Sequence, residues 1–187
     1  AEELGLDYKL FPIGPRTGET RTEEFSLLNP KQKIPLMEDG DFVLSESLSI
    51  CRYLQNKYPS DSMPLPSTKE ERAKEDEWCN YIYGEMDETA LYVMRRHYDL
   101  TEIYGESPIV VKACREYLVK HLKVVDKHLE RNETVLEKGF GIADIMLVSC
   151  LDWAKFYKFD LPKITKDYHN RMLNRSNYLK ARDINYA

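Results

Sequence analysis

Residues 29 to 53, Asn29-Pro30-Lys31-Gln32-Lys33-Ile34-Pro35-Leu36-Met37-Glu38-Asp39-Gly40-Asp41-Phe42-Val43-Leu44-Ser45-Glu46-Ser47-Leu48-Ser49-Ile50-Cys51-Arg52-Tyr53, gather three groups able to hold a small peptide. Proline is poorly tolerated inside a strand, so Pro35 in an apolar run points to a special backbone. A cis Ile34-Pro35 bond would turn the N–H and C=O of Ile34 outward, where an extended ligand can pair with them as an added strand. A helix starting after Ser45-Glu46-Ser47 offers free N–H groups and the positive end of a dipole, which suit a carboxylate. Glu46 adds an acceptor for an ammonium group. A ligand with an α-amino acid head and a peptide middle would meet all three.

The elements that must hold these groups follow from the same stretch. Asn29-Pro30 reads as a turn, Ile34 to Met37 as a short strand, and Asp39-Gly40 as a hairpin reversal. Phe42 to Leu44 forms the return strand. From Leu48 the apolar residues take helical spacing, with Ser45 or Ser47 as the N-cap.

Asn-Pro-x-x-x-Ile-Pro-Leu followed by Glu-Ser-x-x-Ile-x-x-Tyr-Leu resembles the glutathione-binding half of the cytosolic glutathione S-transferase superfamily. The resemblance implies backbone pairing of the cysteinyl unit by Ile34, a cis bond at Pro35, and γ-glutamyl contacts from Glu46 and Ser47. It also offers Gln32, or Lys33 in its place, for the glycyl carboxylate. The plainer reading is that Ser47 only caps a helix and that the proline belongs to a thioredoxin-like domain with no glutathione site. The spacing between the two halves of the motif favours the ligand site.

The rest of the chain fits two domains. Residues 1 to 58 read as a helix end closed by Gly5, a strand from Leu6 to Ile13, a polar stretch, the hairpin and a helix. That is a thioredoxin-like order lacking its opening strand. The turn-rich stretch from Gly14 to Thr22 is expected to be mobile. Residues 59 to 67, with Pro59, Pro64 and Pro66, are expected to be a linker. From 68 to 187 the pattern is helical. One stripe runs through Trp78, Ile82, Met86, Thr89, Ala90, Val93 and His97. A second takes Val110, Cys114, Leu118, Leu122, Val125 and Leu129, and a third Ile142, Ile145, Met146, Ser149 and Trp153. A shorter helix is expected from about Lys166 to Asp183. The expected fold class is therefore α/β plus all-α: an incomplete thioredoxin-like domain followed by an all-helical one.

Composition narrows the partners. The 187 residues are 42% hydrophobic and 32% charged, with net charge −5, which argues against nucleic acid as a main partner. Lys163, Lys166, Arg171, Arg175, Lys180 and Arg182 make a local basic stretch that reads as a solvated helix face. Cys51, Cys79, Cys114 and Cys150 lie far apart with no metal spacing, so free thiols in a reducing compartment are expected. No apolar run is long enough to span a membrane and no signal peptide is evident, so the expected location is cytoplasmic. His97, His121, His128 and His169 have no Asp or Cys at catalytic spacing; each reads as a helix-face residue, and no metal is expected.

Phe140-Gly141-Ile142-Ala143-Asp144 resembles the family's helix-start motif, with Gly141 where Ser or Thr is usual. Asp144 is expected to accept from the Gly141 N–H, a folding role. Tyr81, Glu85, Glu88, Tyr92 and Arg95 share one side of the first long helix. The resemblance makes Tyr81, Tyr92 and Arg95 candidates for an electrophile pocket, while Asp76 reads as solvated.

The resemblance further implies a homodimeric detoxification enzyme that activates the glutathione thiol to attack a small hydrophobic electrophile. The activating Tyr, Ser or Cys would sit after a first strand, before Ala1 in this numbering, so no catalytic residue is named. A glutathione-dependent disulfide reductase, isomerase or dehalogenase shares the same binding half. The alternative outside enzymology is a binding or dimerisation module.

Overall fold

The hairpin is built as its turn chemistry requires. β1 (Leu36–Asp39) pairs antiparallel with β2 (Phe42–Ser45) around Gly40, whose φ of 61° a glycine adopts freely. β1 is displaced from the expected Ile34 to Met37 and begins after Pro35, because proline has no N–H to give a ladder, while β2 starts at Phe42 as expected and runs one residue past Leu44. The register sets Leu36 opposite Ser45 and Asp39 opposite Phe42. α2 (Ser47–Lys57) follows β2 directly, and its N-cap is Glu46 rather than Ser45 or Ser47.

The computed structural model describes residues 1–14 and 17–186, in two compact units, Ala1–Asp61 and Ser62–Ala187. In the first unit a turn of 3₁₀-helix, Glu2–Leu4, ends at Gly5 in the left-handed region. The expected strand from Leu6 to Ile13 does not form. Alternation names a face, but a strand exists only through a ladder partner, and among the described residues nothing pairs with this segment. Tyr8, Leu10 and Phe11 are accordingly exposed. Part of the stretch expected to be mobile, Pro15 and Arg16, lies outside the described residues. Glu19–Arg21 beyond it form a 3₁₀ turn. α1 (Glu23–Leu28) then appears where the sequence suggested only a polar stretch. Its cap is Thr22, whose hydroxyl accepts from the Phe25 N–H at 3.2 Å, with Glu23 and Glu24 complementing the dipole.

In the second unit one long helical run is α-helical over α3 (Lys69–Tyr81), π-helical over Ile82–Tyr92, and α-helical again over α4 (Val93–Tyr98). The π segment corrects the first expected stripe. A pattern of threes and fours turns Thr89 inward, yet Thr89 is exposed and its hydroxyl donates to the Gly84 carbonyl five residues back, at 2.6 Å. With i→i+5 bonding the turn widens, and the core positions become Ile82, Met86, Ala90, Leu91 and Met94. α5 (Thr101–Tyr104) is a single turn. α6 (Pro108–Leu129) buries Cys114, Leu118, Leu122, Val125 and Leu129 as expected.

α7 (Ile142–Phe156) is the central helix, and its stripe also needs correction. Ile145, Met146 and Trp153 are half-buried and Ser149 is exposed, whereas Ala143, Leu147, Cys150, Leu151 and Ala154 are buried. A helix apolar on most of its circumference gives periodicity no single face to report. The last expected helix divides into α8 (Lys163–Leu173) and α9 (Ser176–Tyr186) at Asn174 and Arg175. α6 and α7 both pack on the π segment, and α8 packs on both α6 and α7. The fold class is thus a small two-stranded sheet with helices, followed by an all-helical unit.

The start of α3 is fastened by charge. Thr68 Oγ1 accepts from the Glu71 N–H, and Glu71 accepts from the N–H groups of Ser67 and Thr68 and from Lys138 Nζ at 2.7 Å. The Lys138 ammonium, then the Ser67 N–H, hold the Glu71 carboxyl down at about 2. Because the folded value lies below the unfolded one of about 4.3, this contribution is complete above pH 4.3 and is lost as pH falls towards 2. Glu71→Gln should therefore flatten the loss of stability between pH 4.5 and 2, read as urea midpoints. Parallel curves for the two proteins would contradict this.

Candidate functional site

In the first unit the loop from Asn29 to Pro35 is shaped by one buried amide. Asn29, 3% exposed, donates from Nδ2 to the Lys33 carbonyl at 2.7 Å and accepts the Lys31 N–H on Oδ1 at 3.2 Å. Its own carbonyl accepts the Gln32 N–H at 2.9 Å, which holds Gln32 at a φ of 54°. Gln32 Nε2 donates to Ser26 Oγ at 3.1 Å, so α1 and the loop share a contact. The Ile34-Pro35 bond is cis. Ile34 is 40% exposed, and its N–H and C=O take no partner among the described residues.

The hairpin brings the second half of the motif alongside. Since Leu36 faces Ser45, Pro35 and Glu46 are the flanking residues on the same end of the ladder. Glu46 stands at φ 76°, ψ 120°, between β2 and α2, and no side chain caps α2. The first N–H groups of α2, beginning at Ser47, lack intrahelical partners as every helix start does. Lys31 Nζ meets Glu46 Oε1 at 2.6 Å, so the loop contacts the helix start. The structure therefore brings Gln32, Lys33, Ile34, Pro35, Glu46 and Ser47 into one stretch of surface. It adds Asn29 and Lys31, which the sequence reading passed over; the Asn-Pro turn was the available signal for Asn29.

The three electrophile-pocket candidates fall into two groups within the second unit. Tyr81 hydroxyl and His121 Nδ1 share a hydrogen bond at 2.7 Å, Trp78 packs its ring edge-on to Tyr81, and burial pushes the phenol up to about 12. Tyr92 packs on Trp153 and beneath the Arg96 guanidinium, and Arg95 lies over the same Trp153 at 5.7 Å. A cleft of about 360 Å³ in this unit is lined by His97, Tyr98, Glu106, Val111, Lys112 and Arg115, among others, and by none of the three.

Two histidines depart from the helix-face reading. His169 is buried and meets Asp152 Oδ1 at 2.7 Å, with Tyr178 hydroxyl on the other carboxylate oxygen. The pairing joins α7 to α8 and α9, a tertiary contact that sequence spacing does not reveal. His121 is buried between Tyr81 and Tyr117. Among the described residues no cluster of His, Cys, Asp or Glu could hold a metal, none of the four cysteines forms a disulfide, and no helix is long and apolar enough to cross a membrane.

Gly141 and Asp144 meet as expected at the start of α7. Asp144 Oδ2 accepts from the Gly141 N–H at 3.0 Å, and Oδ1 accepts from the Val135 N–H at 2.9 Å and the Tyr168 hydroxyl at 2.7 Å. Burial raises the Asp144 pKa, while these donors pull it back down.

Comparison with known proteins covers both units. The family model for the glutathione S-transferase N-terminal domain matches residues 1–57, and that for the C-terminal domain matches residues 84–176. Glutathione S-transferase 3 of Zea mays is 32% identical over 148 residues, which are 76% of this chain and 64% of the maize protein. Glutathione S-transferase GstA of Escherichia coli O157:H7 is 31% identical over 162 residues, 85% of this chain and 76% of that protein. The chain thus spans just under two thirds of the maize relative's length. The glutathione transferase URE2P6 of Phanerochaete chrysosporium, determined in complex with oxidized glutathione, superposes with a TM-score of 0.85. It shares 22% identity and covers 97% of this chain and 86% of its own.

Proposed function

The chain belongs to the glutathione S-transferase family, and on that premise we propose that it binds glutathione along the Asn29–Pro35 loop and the start of α2. The observation that carries this reading is that the hairpin places Glu46, at the start of α2, across the ladder end from Pro35 and beside an unpaired Ile34 backbone. It sets an open strand edge, a carboxylate and an uncapped helix start side by side. In this reading the cysteinyl unit pairs with Ile34 as an added strand, and Pro35 shapes the approach. Glu46 takes the α-ammonium of the γ-glutamyl head, while Ser47 and the α2 N–H groups take its carboxylate. Gln32 and Lys33 face the glycyl carboxylate.

The proposed reaction is attack of the glutathione thiolate on a small hydrophobic electrophile, in a cytoplasmic homodimer, with no metal. Residues 1–58 serve as the glutathione-binding domain, 59–67 as linker and 68–187 as the helical domain. Tyr81, Tyr92 and Arg95 remain candidates for the electrophile side, and Gly141 and Asp144 serve the fold. The binding groups orient the tripeptide; lowering the thiol pKa needs a separate donor near the sulfur, which none of the named residues supplies. The test is retention on immobilised glutathione, then conjugation of a model aryl halide by the retained protein. Retention with elution by free glutathione is expected. Passage through the column without delay would defeat the site assignment, and retention without conjugation would leave a binding module.

A further inference from the structure

We propose that Lys31 is an internal occupant of the ammonium position at Glu46, so that it sets how sharply the site selects ligands carrying an α-ammonium group. The inference rests on the glutathione-binding reading above. In the structure Lys31 Nζ lies 2.6 Å from Glu46 Oε1, the same charge and hydrogen bond that an amino-acid head would bring. The lysine stem starts from a fixed place, because the Lys31 N–H is held by the buried Asn29 side chain at 3.2 Å. A cation tethered in this way meets Glu46 at a high effective concentration, and an incoming ammonium must displace it.

A ligand that lacks the ammonium leaves Lys31 on Glu46 and meets no such competition. Lys31 therefore weakens ammonium-bearing ligands selectively and narrows the gap between them and their deaminated counterparts. The lysine and glutamate side chains are 50% and 56% exposed, so water screens the pair and the competition is worth about two- to fivefold in affinity. Because Lys31 is exposed, replacing it leaves the fold intact.

The experiment is calorimetric titration of the full chain and of Lys31→Met and Lys31→Arg with two ligands. These are reduced glutathione and glutaryl-cysteinyl-glycine, which lacks only the α-amino group. Lys31→Met should bind glutathione about two- to fivefold tighter and the glutaryl compound unchanged, so the ratio of their dissociation constants rises by that factor. Lys31→Arg, which keeps the cation, should stay with the unsubstituted chain. Weaker glutathione binding by Lys31→Met, or an unchanged ratio while both ligands bind, overturns the inference alone. Failure of all three proteins to bind glutathione overturns the site assignment and this inference together.

Discussion

Asp144→Ala should cost about 3–5 kcal/mol of stability and lower the thermal midpoint by roughly 10 °C, without changing glutathione affinity in the folded fraction. The side chain is fully buried and accepts three hydrogen bonds: from the Gly141 N–H, the Val135 N–H and the Tyr168 hydroxyl. Removing it leaves three buried donors without an acceptor, each costing about 1–3 kcal/mol, and opens space at the start of the central helix. Gly141 has no side chain to take over the cap, so the contribution of Asp144 here is larger than at a helix start with Ser or Thr. Asp144→Asn provides the control. Its carbonyl oxygen can still serve Val135 and Tyr168, while its amide faces the Gly141 N–H donor to donor, so its loss should be about half as large. Thermal or urea unfolding measures both. An unchanged midpoint in Asp144→Ala, or reduced glutathione affinity in its folded fraction, would contradict a purely structural role.

Glu46→Gln should weaken glutathione binding by about 10- to 100-fold, since a hydrogen bond to a charged group contributes about 1.5–3 kcal/mol. The substitution keeps shape and backbone, including the positive φ of 76°. It removes the charge that an α-ammonium would meet. Stability should change by less than about 0.5 kcal/mol, because the side chain is more than half exposed and caps no helix. Binding loss with stability retained separates this residue from Asp144, whose loss runs the other way. Equal glutathione affinity in Glu46→Gln and the unsubstituted chain would remove Glu46 from the site.

The elements of this chain differ in how far their own residues set them. The hairpin and α2 were legible because Asp39-Gly40, Pro35 and the run after Ser47 are local signals that act on their own backbone. The stripe of α6 was legible because an ordinary α-helix buries one face, and Cys114, Leu118, Leu122, Val125 and Leu129 mark it. The spacing from Lys69 to Tyr98 predicts a helix but not its phase, since nothing local announces a change from i→i+4 to i→i+5 bonding. The segment from Leu6 to Ile13 reads as a strand in isolation and forms none, because a strand needs a ladder partner that its own residues cannot supply.

The sequence by itself determined the family and singled out the residues of the proposed binding site, Gln32, Lys33, Ile34, Pro35, Glu46 and Ser47, because these depend on residue type and on spacing along a short stretch of chain. It also determined the cap at Gly141 and Asp144, three residues apart on one turn. Only the tertiary structure decided which groups already occupy one another. Lys31 reaches Glu46 across 15 positions, Asp144 gains Tyr168 across 24, and His169 finds Asp152 across 17. Such contacts depend on register, crossing of helices and burial, which no window of sequence encodes. They set the cation already resting on Glu46 and add the Tyr168 hydroxyl to the donors that Asp144 must satisfy.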